Sequence, residues 1–155
     1  MPTIQELARK LDTRSVLIRG GNWPVRKLSI AQQDAVRRSI PLPVPPVGFD
    51  RTKGSAAGPI LDYEAPAYRA EVASRERRIS LVEACVALGL TFGTEGSPIE
   101  VPPAPAPDSA WKAYADAAWK AVAVDGLLYD DDINAVHKAL EDTTPDRMMA
   151  AAEGN

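Results

Sequence analysis

"VLIRGGNWPVRKLS", residues 16–29, is two extended runs around a glycine turn, followed at once by a helix start. In the first run the β-branched Val16 and Ile18 share one face and Leu17 takes the other. Gly20-Gly21-Asn22 supplies residues that tolerate positive φ, as a hairpin turn requires. The chain returns through Trp23 to Leu28, with Trp23 and Val25 on one face. Pro24 has no amide to donate, so this strand is an edge or turns that position outward. Ser29-Ile30-Ala31-Gln32 is a capping box, in which the Ser29 hydroxyl and the Gln32 side chain each satisfy the other's backbone amide. It opens a helix with Ile30, Ala31, Ala35 and Ile40 inside and Gln32, Gln33, Arg37 and Arg38 outside. A two-stranded hairpin is not stable alone. It must lean on helices or on the edge of another copy, which predicts a small β element used for docking in a mostly helical protein.

Working outward, Thr3-Ile4-Gln5-Glu6 is a second capping box. Ile4, Leu7, Ala8 and Leu11 follow on one stripe, which predicts a helix over 3–11. Beyond the second helix, Pro41 to Val47 is too rich in proline for helix and reads as an extended arm, with a loop over 48–59. A long helix over 66–88 begins at Pro66, a favoured first-turn position. Tyr68, Val72, Ile79, Val82 and Val86 share its inner face, and Leu81, Cys85 and Leu88 widen that face in the last turns. Arg75-Glu76-Arg77-Arg78 reads as a solvated collar, and Gly89 ends the helix. A Pro-rich linker follows. A helix over 109–124, capped by Asp108 or Ser109, carries Trp111, Tyr114 and Trp119 as either an aromatic core face or a partner-binding face. Asp125-Gly126 stops it. Asp130-Asp131-Asp132 opens a last helix over 131–141, whose stripe is Ile133, Val136, His137 and Leu140.

The expected fold is therefore α+β and mostly α: a small helical domain with one N-terminal β-hairpin and Pro-rich loops. Residues 1–92 form the hairpin-plus-helices core, 93–107 a Pro-rich linker, 108–142 a C-terminal helical pair and 143–155 a frayed tail.

A chain of 155 residues with 45% hydrophobic and 25% charged residues has the composition of a soluble globular domain. Its single cysteine, Cys85, excludes an intramolecular disulfide and suits a reducing compartment. The amphipathic start is not a secretory signal, and the apolar stretch from Ile79 to Leu90 is too short to cross a bilayer. The net charge of −3 hides an asymmetry: residues 1–53 hold ten cations and four acids, residues 100–155 four cations and eleven acids. Those halves, +6 and −7, can pair within one molecule or between copies.

No Ser/His/Asp set, paired-cysteine metal site or glycine-rich phosphate cradle occurs. Lys53-Gly54-Ser55 lacks the glycine spacing of a phosphate-binding loop, and Asp130 to Asp132 lack the spacing of a calcium loop. We expect no catalytic residue, cofactor or metal. The three arginines of 75–78 alternate with Glu71, Glu76 and Glu83, so nucleic acid is not an expected partner. An exposed hairpin edge, opposite charge halves and aromatic anchors suit protein–protein contacts instead. The candidate partner-binding residues are Trp23, Arg26, Arg37, Arg38, Trp111 and Trp119.

The order of parts carries a resemblance. A hairpin ending in "WPVRKLS" runs directly into a helix, then comes "APAYRAEVASRERRISLVEACVALGL", then the acidic-capped "LLYDDDINAVHKAL". This resembles the tail assembly chaperones of long-tailed (siphovirus-like) bacteriophages, in which a strand pair ending in "VR-L", a capped helix, a long core helix and a closing "L---EI--L--AI" helix follow one another. Asp132-Ile133, Val136 and Ala139-Leu140 match the last pattern. The resemblance implies a non-enzymatic protein of the host bacterial cytoplasm that binds the tape measure protein, recruits tail tube protein and self-associates, with other phage tail proteins as partners and no membrane contact. The Pro-rich insertions and the Trp111–Trp119 helix depart from that pattern. They leave a structural virion component, a connector or tail accessory protein, as the alternative.

Overall fold

Arg19 and Gly20, rather than Gly20-Gly21-Asn22, make the first turn. The computed structural model describes residues 3–4, 13–49 and 59–141. Strand β1 (Thr13–Ile18) pairs antiparallel with β2 (Gly21–Arg26), with Val16 opposite Trp23 and Ile18 opposite Gly21. The two residues between them have φ of +50° at Arg19 and +80° at Gly20. This is the positive-φ geometry that matches the twist of a two-residue hairpin loop. The expected turn at Gly20-Gly21-Asn22 is thus corrected by one residue, because Gly21 is needed in the ladder. Val16, Ile18 and Val25 face the core, and Leu17 faces solvent.

Helix α1 (Ile30–Ser39) starts on the capping box read from the sequence. Ser29 Oγ accepts from the Gln32 amide at 3.1 Å, and Gln32 Oε1 accepts from the Ser29 amide at 3.0 Å. Its buried stripe is Ala35, Val36, Ser39 and Ile40. Ile30 and Ala31, expected inside, are exposed: they lie a turn earlier, where nothing covers the stripe.

The chain then leaves the body. Strand β3 (Val47–Phe49) pairs antiparallel with β4 (Pro59–Leu61), a pairing that proline-rich flanks gave no sign of. Helix α2 (Pro66–Leu88) has Pro at its first turn and Gly89 at φ +66° as its C-terminal cap, where the Gly89 and Leu90 amides reach the Val86 and Cys85 carbonyls. From Ile79 to Ala87 it is buried almost all round, so it is the central core helix.

The Arg75–Arg78 collar is not free in solvent. Arg75 donates to the carbonyls of Arg37 at 2.9 Å and Ile40 at 3.2 Å, closing the C-terminus of α1. Arg77 donates to both carboxylate oxygens of Asp130 at 3.0 and 2.9 Å, and Arg78 to Asp116 at 2.9 Å. Consecutive residues on a helix point in different directions, so three arginines bracket three neighbouring elements to α2.

The stretch read as a linker is partly ordered into the core. Strands β5 (Phe92–Thr94) and β6 (Ser97–Ile99) pair antiparallel, and Phe92 is buried with its ring 5.3 Å from that of Tyr114. Helix α3 (Asp108–Trp119) begins after Pro107, with Asp108 inside its first turn and no side-chain cap, unlike the cap expected from Asp108 or Ser109. One π-helical turn, Lys120–Val124, extends it to Asp125, and Gly126 reverses the chain at φ +72°. Helix α4 (Asp130–Glu141) follows, its start closed by Asp132, which accepts from the Tyr129 amide at 2.9 Å. One hydrophobic core draws on both sides of the 93–107 stretch, from Val16 to Val136. The result is an α+β domain, mostly α, with three separate antiparallel strand pairs among the described residues. Apart from Thr3 and the helical, exposed Ile4, the helix expected over 3–11 lies outside the described residues, as does the 143–155 tail.

Candidate partner-binding surface

The hairpin is held against α4 at both ends. At the start of β1, Arg14 Nη1 donates to the Ala139 carbonyl at 2.9 Å and also to that of Leu140. At the turn, Arg19 Nη2 donates to the Leu127 carbonyl at 2.9 Å, and its guanidinium lies 4.7 Å over the Tyr129 ring. Strand β1 therefore runs antiparallel to α4, and the spacing of its two arginines matches the helix length, since five strand residues span about 17 Å and twelve helical residues about 18 Å.

This clamp leaves an apolar cleft open beside the turn. Ile18, Gly21 and Trp23 form one wall, Leu88 and Leu90 another, Leu127 and Leu128 the third, with Arg19 at the rim; its volume is about 260 Å³. Trp23 shares a face of β2 with the buried Val25 and lies opposite the buried Val16, yet it is 54% exposed. Its backbone is paired in the ladder and its ring is open to solvent, which suits a docking anchor.

The other candidate residues are placed differently. Arg26 borders a second open cleft of about 340 Å³ with Lys27, Leu28, Ser29, Gln32 and Val86. Neither Arg26 nor Lys27 forms an ion pair among the described residues. Arg37 pairs with Glu76 and Arg38 with Asp108, both at 3.4 Å and both half-exposed, contacts worth little to stability. Trp111 is fully buried, its indole N–H without a partner, so it belongs to the core and offers nothing to a partner. Trp119 is half-buried beneath the Arg78 guanidinium, 5.1 Å from its ring centre. The structure brings Trp23 to an open site and does not gather these six residues into one patch. The charge asymmetry is used within the molecule: Arg19–Asp132 and Arg38–Asp108 join the basic half to the acidic half.

The arm expected over 41–47 is there, but its β pairing with 59–61 had no sign in the sequence. None of the described residues in 41–48 and 59–65 is buried. Leu42, Val44, Val47, Ile60, Leu61 and Tyr63 all project into solvent there. The available signal was aliphatic side chains interleaved with prolines that cannot enter a helix packed on the core.

Titratable groups in the interior follow burial. The Cys85 thiol is pushed up to about 12 by desolvation and the Tyr114 phenol is raised by the same cause, its hydroxyl donating to the Leu90 carbonyl at 2.8 Å. Desolvation also raises Glu83, with His137 and Arg37 acting in the opposite sense. His137 Nε2 is 2.7 Å from the Ser80 carbonyl, which places this ring at the core edge as a bridge from α4 to α2. Among the described residues no group of His, Cys, Asp and Glu could hold a metal ion, and no helix is long and apolar enough to cross a membrane. Comparison with protein-family models, curated proteins and solved structures gives no match.

Proposed function

We propose that the chain is a non-enzymatic assembly protein that acts by docking other proteins, and specifically a tail assembly chaperone of a long-tailed bacteriophage, working in the cytoplasm of the infected bacterium. The observation that carries the docking part is the Trp23 cleft: a half-exposed tryptophan on a paired strand beside leucine side chains. Apolar concavities lined by an aromatic anchor take up the apolar face of a partner chain. The specific assignment rests on the order of the parts, hairpin, capped helix, long core helix and acidic-capped closing helix. In that role the cleft holds a segment of the tape measure protein while tail tube protein is recruited.

Co-expression with the tape measure protein tests this. A complex is expected that survives purification and that Trp23→Ala weakens, with the chain missing from purified particles by mass spectrometry. A second reading, a connector or accessory protein that stays in the particle, is favoured by the projecting apolar arm, a feature suited to a permanent joint. Recovery of the chain from purified particles decides for it.

A further inference from the structure

We propose that residues 41–47 are a ready-made polyproline ligand, which docks in an aromatic-lined groove on a partner protein. This contact is opposite in kind to the Trp23 cleft, since here the chain supplies the inserted segment. It stands independently of what that cleft holds.

Residue chemistry fixes the backbone. Residues 41–46 are Pro-Leu-Pro-Val-Pro-Pro, and each proline locks its own φ at about −65°. Ile40, Leu42, Val44 and Pro45 each precede a proline, which pushes them out of the helical region into extended backbone. Every residue from Ile40 to Pro46 is therefore restricted, by itself or by its neighbour, to polyproline geometry. The structure agrees: Ile40 has φ −109° and ψ 117°, and 41–46 belong to no helix or strand. Both ends are tied to the protein. Ile40 is buried and its carbonyl accepts from Arg75 Nε at 3.2 Å, while the Pro46 carbonyl accepts from the Asp62 amide at 2.8 Å. A ligand held in its bound form beforehand loses little entropy on docking.

Exposure shows which side faces outward. With about three residues per turn, Pro41, Val44 and Val47 share one ridge. All three are exposed, Val44 at 78% and Val47 at 68%. Pro43 and Pro45, on the other two ridges, are half-buried. Leu42 flanks the outward ridge and is 74% exposed.

The same chemistry selects the partner. Of residues 41–46 only Leu42 and Val44 carry an amide N–H, so the segment cannot extend the hydrogen-bond ladder of a partner's sheet edge. Its prolines equally bar it from entering a groove as a helix. The recognition mode that remains is polyproline docking, in which tryptophan and tyrosine rings stack on the apolar ridge and their N–H and O–H groups donate to backbone carbonyls.

The test is calorimetric titration of the full chain against SH3, WW and EVH1 domains, used as probes of aromatic-lined grooves, with amide chemical shifts of the labelled chain recorded beside it. Four variants accompany the wild type: Leu42→Asp, Val44→Asp, the double variant Pro41→Ala/Pro46→Ala, and Val124→Asp as an exposed control on another element. All the altered positions are exposed, and matching thermal melts identify the folded variants to be compared. At least one probe is expected to bind, shifting the amides of Leu42, Val44 and Val47 most. Each folded Asp variant of the segment should lose at least about tenfold in affinity, the proline variant should also weaken, and Val124→Asp should bind like wild type. Absence of binding across all the probes overturns the proposal, as does binding that the Asp variants leave unchanged. Binding lost in the Asp variants but intact in the proline variant overturns it too, because side chains without the polyproline form would then suffice. Sedimentation velocity covers the other occupant: self-association of the wild type that Leu42→Asp abolishes would put a second copy on this segment and sink the idea.

Discussion

Arg14 closes the C-terminus of α4: its Nη1 donates to the Ala139 carbonyl at 2.9 Å across 125 residues of sequence. The last carbonyls of a helix have no partner inside it and carry its negative pole, so a partly buried guanidinium there supplies both hydrogen bonds and charge. Together with Arg19 at the turn, it fixes the hairpin on the helix and so fixes Trp23 at the edge of its cleft.

Removing that contact should be felt by the whole fold. Arg14→Ala is expected to cost about 1–3 kcal/mol, the range for losing charged hydrogen bonds to partly buried carbonyls. Arg14→Lys should recover only part, since an ammonium lacks the guanidinium's planar fork. Urea unfolding followed by tryptophan fluorescence measures both, and equal stability of all three proteins would show that the clamp is idle.

The two tryptophans should separate cleanly. Trp111→Ala empties a fully buried site and is expected to cost about 3–5 kcal/mol. Trp23→Ala removes a half-exposed ring and should lower the melting temperature little while weakening binding to a partner. Calorimetry beside a binding assay distinguishes them; a large stability loss at Trp23 would make it a packing residue.

Val82 lies on the central helix with no exposed surface. Val82→Asp puts an unpaired charge into the core and should cost several kcal/mol, abolishing the cooperative melt. A transition near the wild-type temperature would show that α2 is not the centre of the core.

Glu83 gives a pH dependence with a definite sign. Burial raises its carboxyl above the ordinary carboxylate range, although His137 and Arg37 offset part of this. The folded state then holds the proton more tightly than the unfolded chain, so ionisation favours unfolding. That loss is absent below the unfolded carboxyl's pKa and complete above the folded one. Glu83→Gln should therefore raise the melting temperature at neutral pH, with the gain fading as the solution is acidified through that window. A gain independent of pH would assign it to something other than charge.

What the sequence determined by itself was local. The capping box at Ser29 and Gln32, the proline start and glycine end of the 66–88 helix, the stop at Asp125-Gly126 and the helical periods are contacts within a few residues, so composition and spacing specify them. Hairpin strand parity was legible for the same reason, though the turn slipped by a residue, since Gly20-Gly21-Asn22 offers more than one place for positive φ. Only the tertiary structure decided which polar residues are structural. Arg75, Arg77 and Arg78 look like a solvated run until α1, α4 and α3 arrive to meet them. Trp111 and Trp23 have similar credentials as anchors, and packing alone puts one in the core and leaves the other at an open cleft. The extended arm over 41–47 was legible from its prolines, but the β pairing between 47–49 and 59–61 was hidden because it has no short-range signature among them. Burial depends on which distant surfaces meet, and that is a property of the assembled chain rather than of any window along it.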